Sequence, residues 1–331
     1  MAARATRSAS RKARLTEAVA TGPLGALSHD ELGVIFDGLA DPLHPVVAVS
    51  LSSTCLGLRT PLGKALEVLK QRHERAVALC RKMGTSCAEL RDKVILDWWQ
   101  DFFSASAMSP VTKFTPGRAK LNTDDMAALG MILRTNGLPC LRTLRLDNND
   151  FGDAAMTALF HGLGSGVSLS LIHISLAFNH FGPAGAESLA DALRRGALPK
   201  LASLAIGGNV IGTQGMVALA KPLRQLHELV ELRVYNCEIG DEGVASLVAN
   251  LGKDEFKTLS FLDLDQNGLT DKGCATLASA LDDEAMPNLI CMLALDEDDV
   301  SKAAAALLSE SARRRNIDMD PDSGDPSPAT P

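Results

Sequence analysis

A pattern of leucines with one asparagine returns every 28 to 31 residues through the second half of this chain, and no other feature restricts the fold as much. Leu141, Leu144, Leu146, Asn149, Phe151, Gly152, Leu159 and Leu163 set the template. They recur as Leu171, Ile174, Leu176, Asn179, Phe181, Gly182, Leu189 and Leu193. A third copy runs from Leu201 to Leu223, and a fourth from Leu229 to Leu251 with Cys237 in place of the asparagine. A fifth runs from Leu259 to Leu281, with Thr270 where the first glycine stood. Two worn copies flank these. Val111, Phe114 and Pro116 lead into Leu121, Leu129 and Leu133, while Ile290, Leu293, Leu295, Asp298 and Val300 lead into Leu307 and Leu308. In each copy the first leucines alternate with other residues, as in Leu144-Arg145-Leu146, which is strand periodicity; the later ones sit at helical spacing. A strand and helix this short cannot bury their apolar sides alone, so the copies must stack on one continuous core. Pro116 cannot donate to a sheet ladder, which makes the strand of the first copy an irregular edge.

The 331-residue chain leans on leucine and alanine, with ten Phe, two Trp and a single Tyr, as suits a stack of similar side chains. Its formal charge of −7 argues against non-specific nucleic-acid binding. Seven scattered cysteines without a C-x-x-C pair, and no N-x-[ST] sequon, indicate a reducing, intracellular compartment, cytoplasmic or nuclear. No apolar run reaches the ~20 residues of a membrane span. Arg4, Arg7, Arg11, Lys12 and Arg14 precede the first acid, Glu17, so residues 1–23 read as a disordered basic arm or an organellar transit peptide. Residues 312–331 form a charged, proline-rich tail expected to be disordered.

The consensus LxxLxLxx(N/C)xxGxxGxxxLxxxL resembles the leucine-rich repeat of ribonuclease-inhibitor type. The resemblance covers residues 111–311 and implies an α/β solenoid of about seven repeats, with a parallel sheet on the concave side and helices on the convex side. A small all-α region precedes it. No single function is implied, since that fold serves inhibitors, receptors, GTPase activators and ligase subunits alike.

Strand alternation places one set of side chains on the sheet face. The first row reads Lys113, Thr143, His173, Ser203, Glu231, Phe261, Met292. The second reads Thr115, Arg145, Ser175, Ala205, Arg233, Asp263, Ala294, and the third Gly117, Asp147, Ala177, Gly207, Tyr235, Asp265, Asp296. From these rows, Arg145, Asp147, His173, Glu231, Arg233, Tyr235, Phe261, Asp263, Asp265 and Asp296, with the neighbouring Phe178, form a candidate protein-binding surface. It is small in the middle and acidic toward the C-terminal end, and Tyr and Arg are residue types that anchor interfaces. An ordinary solvated sheet face is the alternative.

Catalytic and metal chemistry find no support. Asp147, Asn149 and Gly152 match the start of a calcium loop, but Phe151 and Ala158 stand where its fifth and twelfth positions need oxygen ligands. "HELVE" at 227–231 begins like a zinc-protease helix, yet Glu231 occupies the place of the second histidine. No cofactor is expected.

Residues 24–62 carry Leu27, Glu31, Leu32, Ile35, Phe36 and Leu39 on one helical face, with Ser28 placed as N-cap. A break at "DPLHP" then leads to Val46, Val47, Val49, Leu51, Cys55 and Leu58. This stretch is similar to an F-box, the helical module that docks on the adaptor subunit of cullin-type ubiquitin ligases. The Glu31-Leu32 pair, the Ile35-Phe36-x-x-Leu39 core and Cys55 carry the resemblance; Ser28 replaces the usual proline and Leu58 the common tryptophan. It implies adaptor contact by Leu27, Glu31, Leu32, Ile35, Phe36 and Leu39, while a plain helical cap of the solenoid is the other reading. Residues 63–110 read as a helical cap and linker, with Leu66, Leu69, Leu79 and Met83 lining one helix and Leu90, Val94, Trp98 and Phe102 the next. The chain is therefore expected to be a non-enzymatic interaction protein, in its sharper form an F-box-type substrate receptor. A regulator of an enzyme, ribonuclease-inhibitor-like or GTPase-activator-like, and a structural scaffold are the alternatives.

Overall fold

The computed structural model describes residues 40–54, 62–91, 95–97, 121–135, 138–161, 163, 170–248, 250–252, 254–294 and 300–319. The chain divides into two compact units, residues 1–92 with 131–138, and residues 93–130 with 139–331. Among the described residues no helix is long and apolar enough to cross a membrane.

The first unit contains helices α1 (Val46–Thr54), α2 (Gly63–Lys82) and α3 (Cys87–Arg91). Ala40, Ala48, Leu62 and Leu69 make a small core. His73 Nδ1 donates to the Pro42 carbonyl at 2.7 Å, and Arg91 pairs with Asp41 at 3.1 Å. Ser86 and Glu89 cap the start of α3 reciprocally, each side chain accepting from the other's backbone N–H. Leu27, Glu31, Leu32, Ile35, Phe36 and Leu39 lie outside the described residues, as do the basic arm and Asp296.

The second unit is a solenoid. Strands β1 (Ile95–Asp97), β2 (Thr143–Arg145), β3 (His173–Ser175), β4 (Ser203–Ala205), β5 (Glu231–Arg233), β6 (Phe261–Asp263) and β7 (Cys291–Leu293) form one parallel sheet in chain order. Helices alternate with them: α4 (Thr123–Arg134), α5 (Asp153–Phe160), α6 (Pro183–Arg194), α7 (Gly212–Arg224), α8 (Gly240–Val248), α9 (Asp271–Asp282) and α10 (Lys302–Arg314). The template leucines face inward: Leu144, Leu176, Leu204, Leu232, Leu262 and Leu277 are all buried. Each such leucine contributes about 1.5–3 kcal/mol gross relative to exposure, which drives the stacking. Beyond β7 the sheet edge is covered, because Met292 N–H donates to Asp318 and Asp318 N–H donates to Ile290.

The first strand departs from expectation. Spacing placed it at 111–117, but the position beside β2 is taken by β1, with Ile95 opposite Thr143 and Asp97 opposite Arg145. The sequence pattern places those residues on a helix through Leu90, Val94, Trp98 and Phe102. Val94, Ile95 and Leu96 are apolar and the first two β-branched, and a short run of that kind fits strand or helix until pairing decides. Residues 111–120 lie outside the described residues.

Polar ladders join neighbouring repeats where the apolar core does not. The carbonyl oxygen of the Asn179 side chain accepts from Asn149 N–H at 3.0 Å and Phe151 N–H at 3.1 Å. Its amide nitrogen donates to Leu146 and Leu176 at 2.9 and 2.8 Å. Asn209 repeats this one turn on, accepting from Asn179 N–H at 3.1 Å, and Asn267 accepts from Cys237 N–H at 2.9 Å. Cys237 donates weakly, its thiol pointing to the Ile206 and Tyr235 carbonyls at 3.4 Å. On the helix side, Asp153 Oδ1 accepts from Gly182 and Gly185 N–H at 2.7 and 2.8 Å, capping the helix of the next repeat. Asp241 does the same for Thr270, and Asp271 for Ser301.

Asn179→Ala removes the acceptor of two buried N–H groups and the donor to the Leu146 carbonyl. At roughly 1–3 kcal/mol per orphaned group, less relaxation, urea unfolding should show a loss of about 2–4 kcal/mol. A loss below about 0.5 kcal/mol would mean the ladder is incidental.

Candidate protein-binding face of the sheet

The strands pair in a register that lines up the face. Thr143, His173, Ser203, Glu231 and Phe261 form one row, and Arg145, Ser175, Ala205, Arg233 and Asp263 the next. The last strand corrects the expected pattern by one residue. Cys291 rather than Met292 stands opposite Phe261, and Leu293 rather than Ala294 opposite Asp263. Met292 and Ala294 are buried, while Ile290, taken as the first apolar residue of that copy, is 62% exposed. Leu289 and Ile290 both start a plausible LxxLxL run, and a slip of one residue exchanges the two faces of a strand. Leu289 keeps the 30-residue spacing from Leu259 and is the one buried.

At the centre of the face the side chains are small, and two aromatic rings close over this floor. Phe178 and Tyr235 have ring centroids 5.7 Å apart at an angle of 59°. Phe178 is 48% exposed and has φ +52°, a left-handed conformation that bulky residues rarely take. Its N–H donates to the Gly207 carbonyl, and Gly208 N–H donates to the Tyr235 carbonyl, both at 2.8 Å. Gly207 and Gly208 are required beneath the rings. A Cβ on Gly208 would lie 2.5 Å from the Phe178 ring, and one on Gly207 would overlap Tyr235. Row position places Gly207 on the face, but the paired Gly207-Gly208 is the sequence signal for a seat under the rings.

Charged side chains surround the pair. Asp147 accepts from the Ser175 hydroxyl and from Ala177 N–H, the latter at 3.0 Å, which fixes its carboxylate on the face. Ser203 donates to Glu231 at 2.7 Å, Glu231 pairs with Arg233 at 2.6 Å, and the Arg233 guanidinium lies 5.1 Å over the Phe261 ring. Asp263 is buried and accepts from Asp265 N–H at 3.2 Å. Arg145 and His173 are exposed at the N-terminal side of the same rows. The expected residues from Arg145 to Asp265 therefore share one surface. His180 lies near Asp150 at 3.6 Å and away from these rows. Among the described residues no His, Cys, Asp and Glu group is arranged to hold a metal ion.

A leucine-rich repeat family profile, described as "Leucine Rich repeat", matches residues 137–160, 167–190, 197–220, 225–248 and 257–278. These segments are leucine-rich repeats. No curated protein matches the chain. Among solved structures, an internalin (inlF) from Listeria monocytogenes str. 4b F2365 is similar at 17% identity and a TM-score of 0.33. The match covers 58% of this chain and 49% of the internalin, so it spans about half that protein's length. At that level of likeness nothing of the internalin's function transfers.

Within the leucine-rich repeats, the electrostatics of the face converge on Tyr235. Burial, and after it the Asp147 and Asp263 carboxylates, push its phenol above the usual tyrosine value, against the pull of Arg233. Asp263 is itself pushed up, first by burial and also by Asp265 and Glu231, despite the Asp265 N–H bond and Arg233. Tyr235 is the single tyrosine of the chain, so phenolate absorbance reads this site alone. Its titration midpoint should lie above about 10, and Asp147→Asn with Asp263→Asn should lower it. Because the fold disfavours the phenolate, stability should fall as pH rises through the unfolded value of about 10. A midpoint at or below 10 in the native chain would contradict this electrostatic picture.

Proposed function

We propose that the chain is a non-enzymatic protein-binding protein whose partner seats on the sheet face of the leucine-rich repeats, between Arg145 and Phe261. The observation that carries this reading is the Phe178–Tyr235 pair. A half-exposed Phe where the other repeats carry Asn, Gly or Gln, with a second ring against it and two glycines beneath, contributes little to the core of the solenoid. Rigid aromatics beside an arginine match the composition of interface anchors. The 12- and 13-residue helices α6, α7 and α9 support assigning the repeats to the ribonuclease-inhibitor type.

Affinity capture from a cell extract tests the reading. The chain carrying Tyr235→Ala and Arg233→Ala should lose a specific set of captured proteins, while Lys221→Ala on the outer face of α7 should retain it. Identical capture by both variants, each folded by circular dichroism, would exclude the sheet face as the docking site.

A sharper form makes the chain an F-box-type substrate receptor. The likeness of residues 27–58 to that module supports it, together with α1 following the "DPLHP" break as a helical module requires. Co-purification of the ligase adaptor with the native chain but not with Ile35→Asp and Leu39→Asp is the expected result. Equal recovery with a folded variant would remove the ligase role and leave the sheet-face reading standing.

A further inference from the structure

We infer that the Phe178–Tyr235 pair and the carboxylates around it are a seat for a cationic side chain, so that the partner presents Arg or Lys from a basic segment. This rests on the sheet face being the interaction face and names the chemistry that the face selects. Four carboxylates, Asp147, Glu231, Asp263 and Asp265, share the described face with two guanidiniums, Arg145 and Arg233. Arg233 is already committed to Glu231 and to the Phe261 ring. Arg145 offsets a further carboxylate, and the face as a whole keeps an excess of negative charge, with Asp147 before the aromatic pair and Asp263 and Asp265 after it. Burial is the first cause of the upward shifts of Tyr235 and Asp263, and neighbouring carboxylates add to both, as a locally negative field requires.

The geometry selects a long cationic side chain over a small cation or a purely apolar group. An arginine or lysine has an apolar stem that can lie on exposed ring faces and a charged head that can reach carboxylates beyond them. The π-face of Phe and Tyr attracts the cation as well, by roughly 0.5–2 kcal/mol as water is excluded. The molecule displays this pairing once already, where Arg233 lies over Phe261 and bonds Glu231. A partner side chain over Tyr235, with its head toward Asp147 or Asp265, would repeat it across the interface. An acidic partner segment would meet like charge there, and an apolar one would desolvate carboxylates without adding a cation.

The single tyrosine supplies a local reporter. The full chain is labelled with 3-fluorotyrosine, and its one fluorine NMR resonance is followed while a hexa-arginine peptide or a hexa-glutamate peptide is added. Residues 1–14 contain five cations of their own, so the chain with Arg4, Arg7, Arg11, Lys12 and Arg14 all changed to Gln is titrated in parallel. The expected result is a saturable shift with hexa-arginine in at least one of these two chains, and none with hexa-glutamate. The apparent Kd should weaken at least about fivefold when salt rises from about 50 to about 300 mM. Phe178→Leu, which keeps charge and apolar bulk, should weaken it about threefold or more. The inference is overturned if hexa-arginine leaves the resonance unmoved in both chains, or if hexa-glutamate moves it equally. It is also overturned if Phe178→Leu binds as the native chain does, since attraction to the overall charge of −7 would then explain the binding. Loss of captured proteins on mutating the face, without any response to hexa-arginine, would leave the interaction face intact and refute only the basic partner.

Discussion

The buried asparagine that follows strands β2, β3, β4 and β6 is the contact on which the rest of this molecule depends. A parallel strand of three residues offers few ladder bonds, and the chain then turns away from the sheet with backbone groups still inside. The asparagine amide supplies both a donor and an acceptor at that point. Asn179 bonds backbone groups of its own repeat and of the one before, as Asn209 and Asn267 do, so these three amides are rivets across repeat boundaries. Leucine burial drives the repeats together, but it is non-directional and tolerates sliding. The amide ladder fixes the register, and the register aligns the rows of the face.

Function is read where the sequence departs from its own repeat. The ladder position becomes Cys237 in the fourth copy, and burial pushes that thiol up to about 12, so it stays protonated and donates. Two residues earlier stands Tyr235, and two strands away Phe178 meets it from a position that has positive φ in every repeat from Asn148 to Gln266. The other repeats hold aspartate, alanine or glycine at the tyrosine position and asparagine, glycine or glutamine at the phenylalanine position. Side chains dictated by the repeat lie inside, whereas this aromatic and charged group lies on the outer surface of the sheet, where the repeat imposes little. Burial first, and the neighbouring carboxylates after it, disfavour the charged forms of Tyr235 and Asp263. An arrangement with that local cost is easier to understand as a site than as surface polarity.

The repeats themselves were legible because the core needs apolar residues and the ladder needs a two-sided amide at fixed spacing. Rows from β2 to β6 followed from period-two alternation alone. The ends were not legible, for the same reason. At β7, Leu289-x-x-Met292-x-Ala294 and Ile290-x-x-Leu293-x-Leu295 both satisfy the pattern, and only pairing with β6 separates them. At β1 the strand lies at 95–97, well before the worn copy at 111–117, because a terminal strand needs to match only one neighbour. Gly207 and Gly208 look like any loop pair in sequence. Their meaning appears only when the rings of Phe178 and Tyr235 arrive from two different repeats.

Amide hydrogen exchange on the native chain tests the ladder most directly. The N–H groups of Asn149, Phe151, Asn179 and Cys237, which donate to asparagine side chains just outside the strands, should exchange as slowly as those of Leu146 and Leu176, which bond strand carbonyls. Exchange of those four amides at the rate of exposed loops, while Leu146 and Leu176 stay protected, would show that the asparagines do not hold the repeats in register.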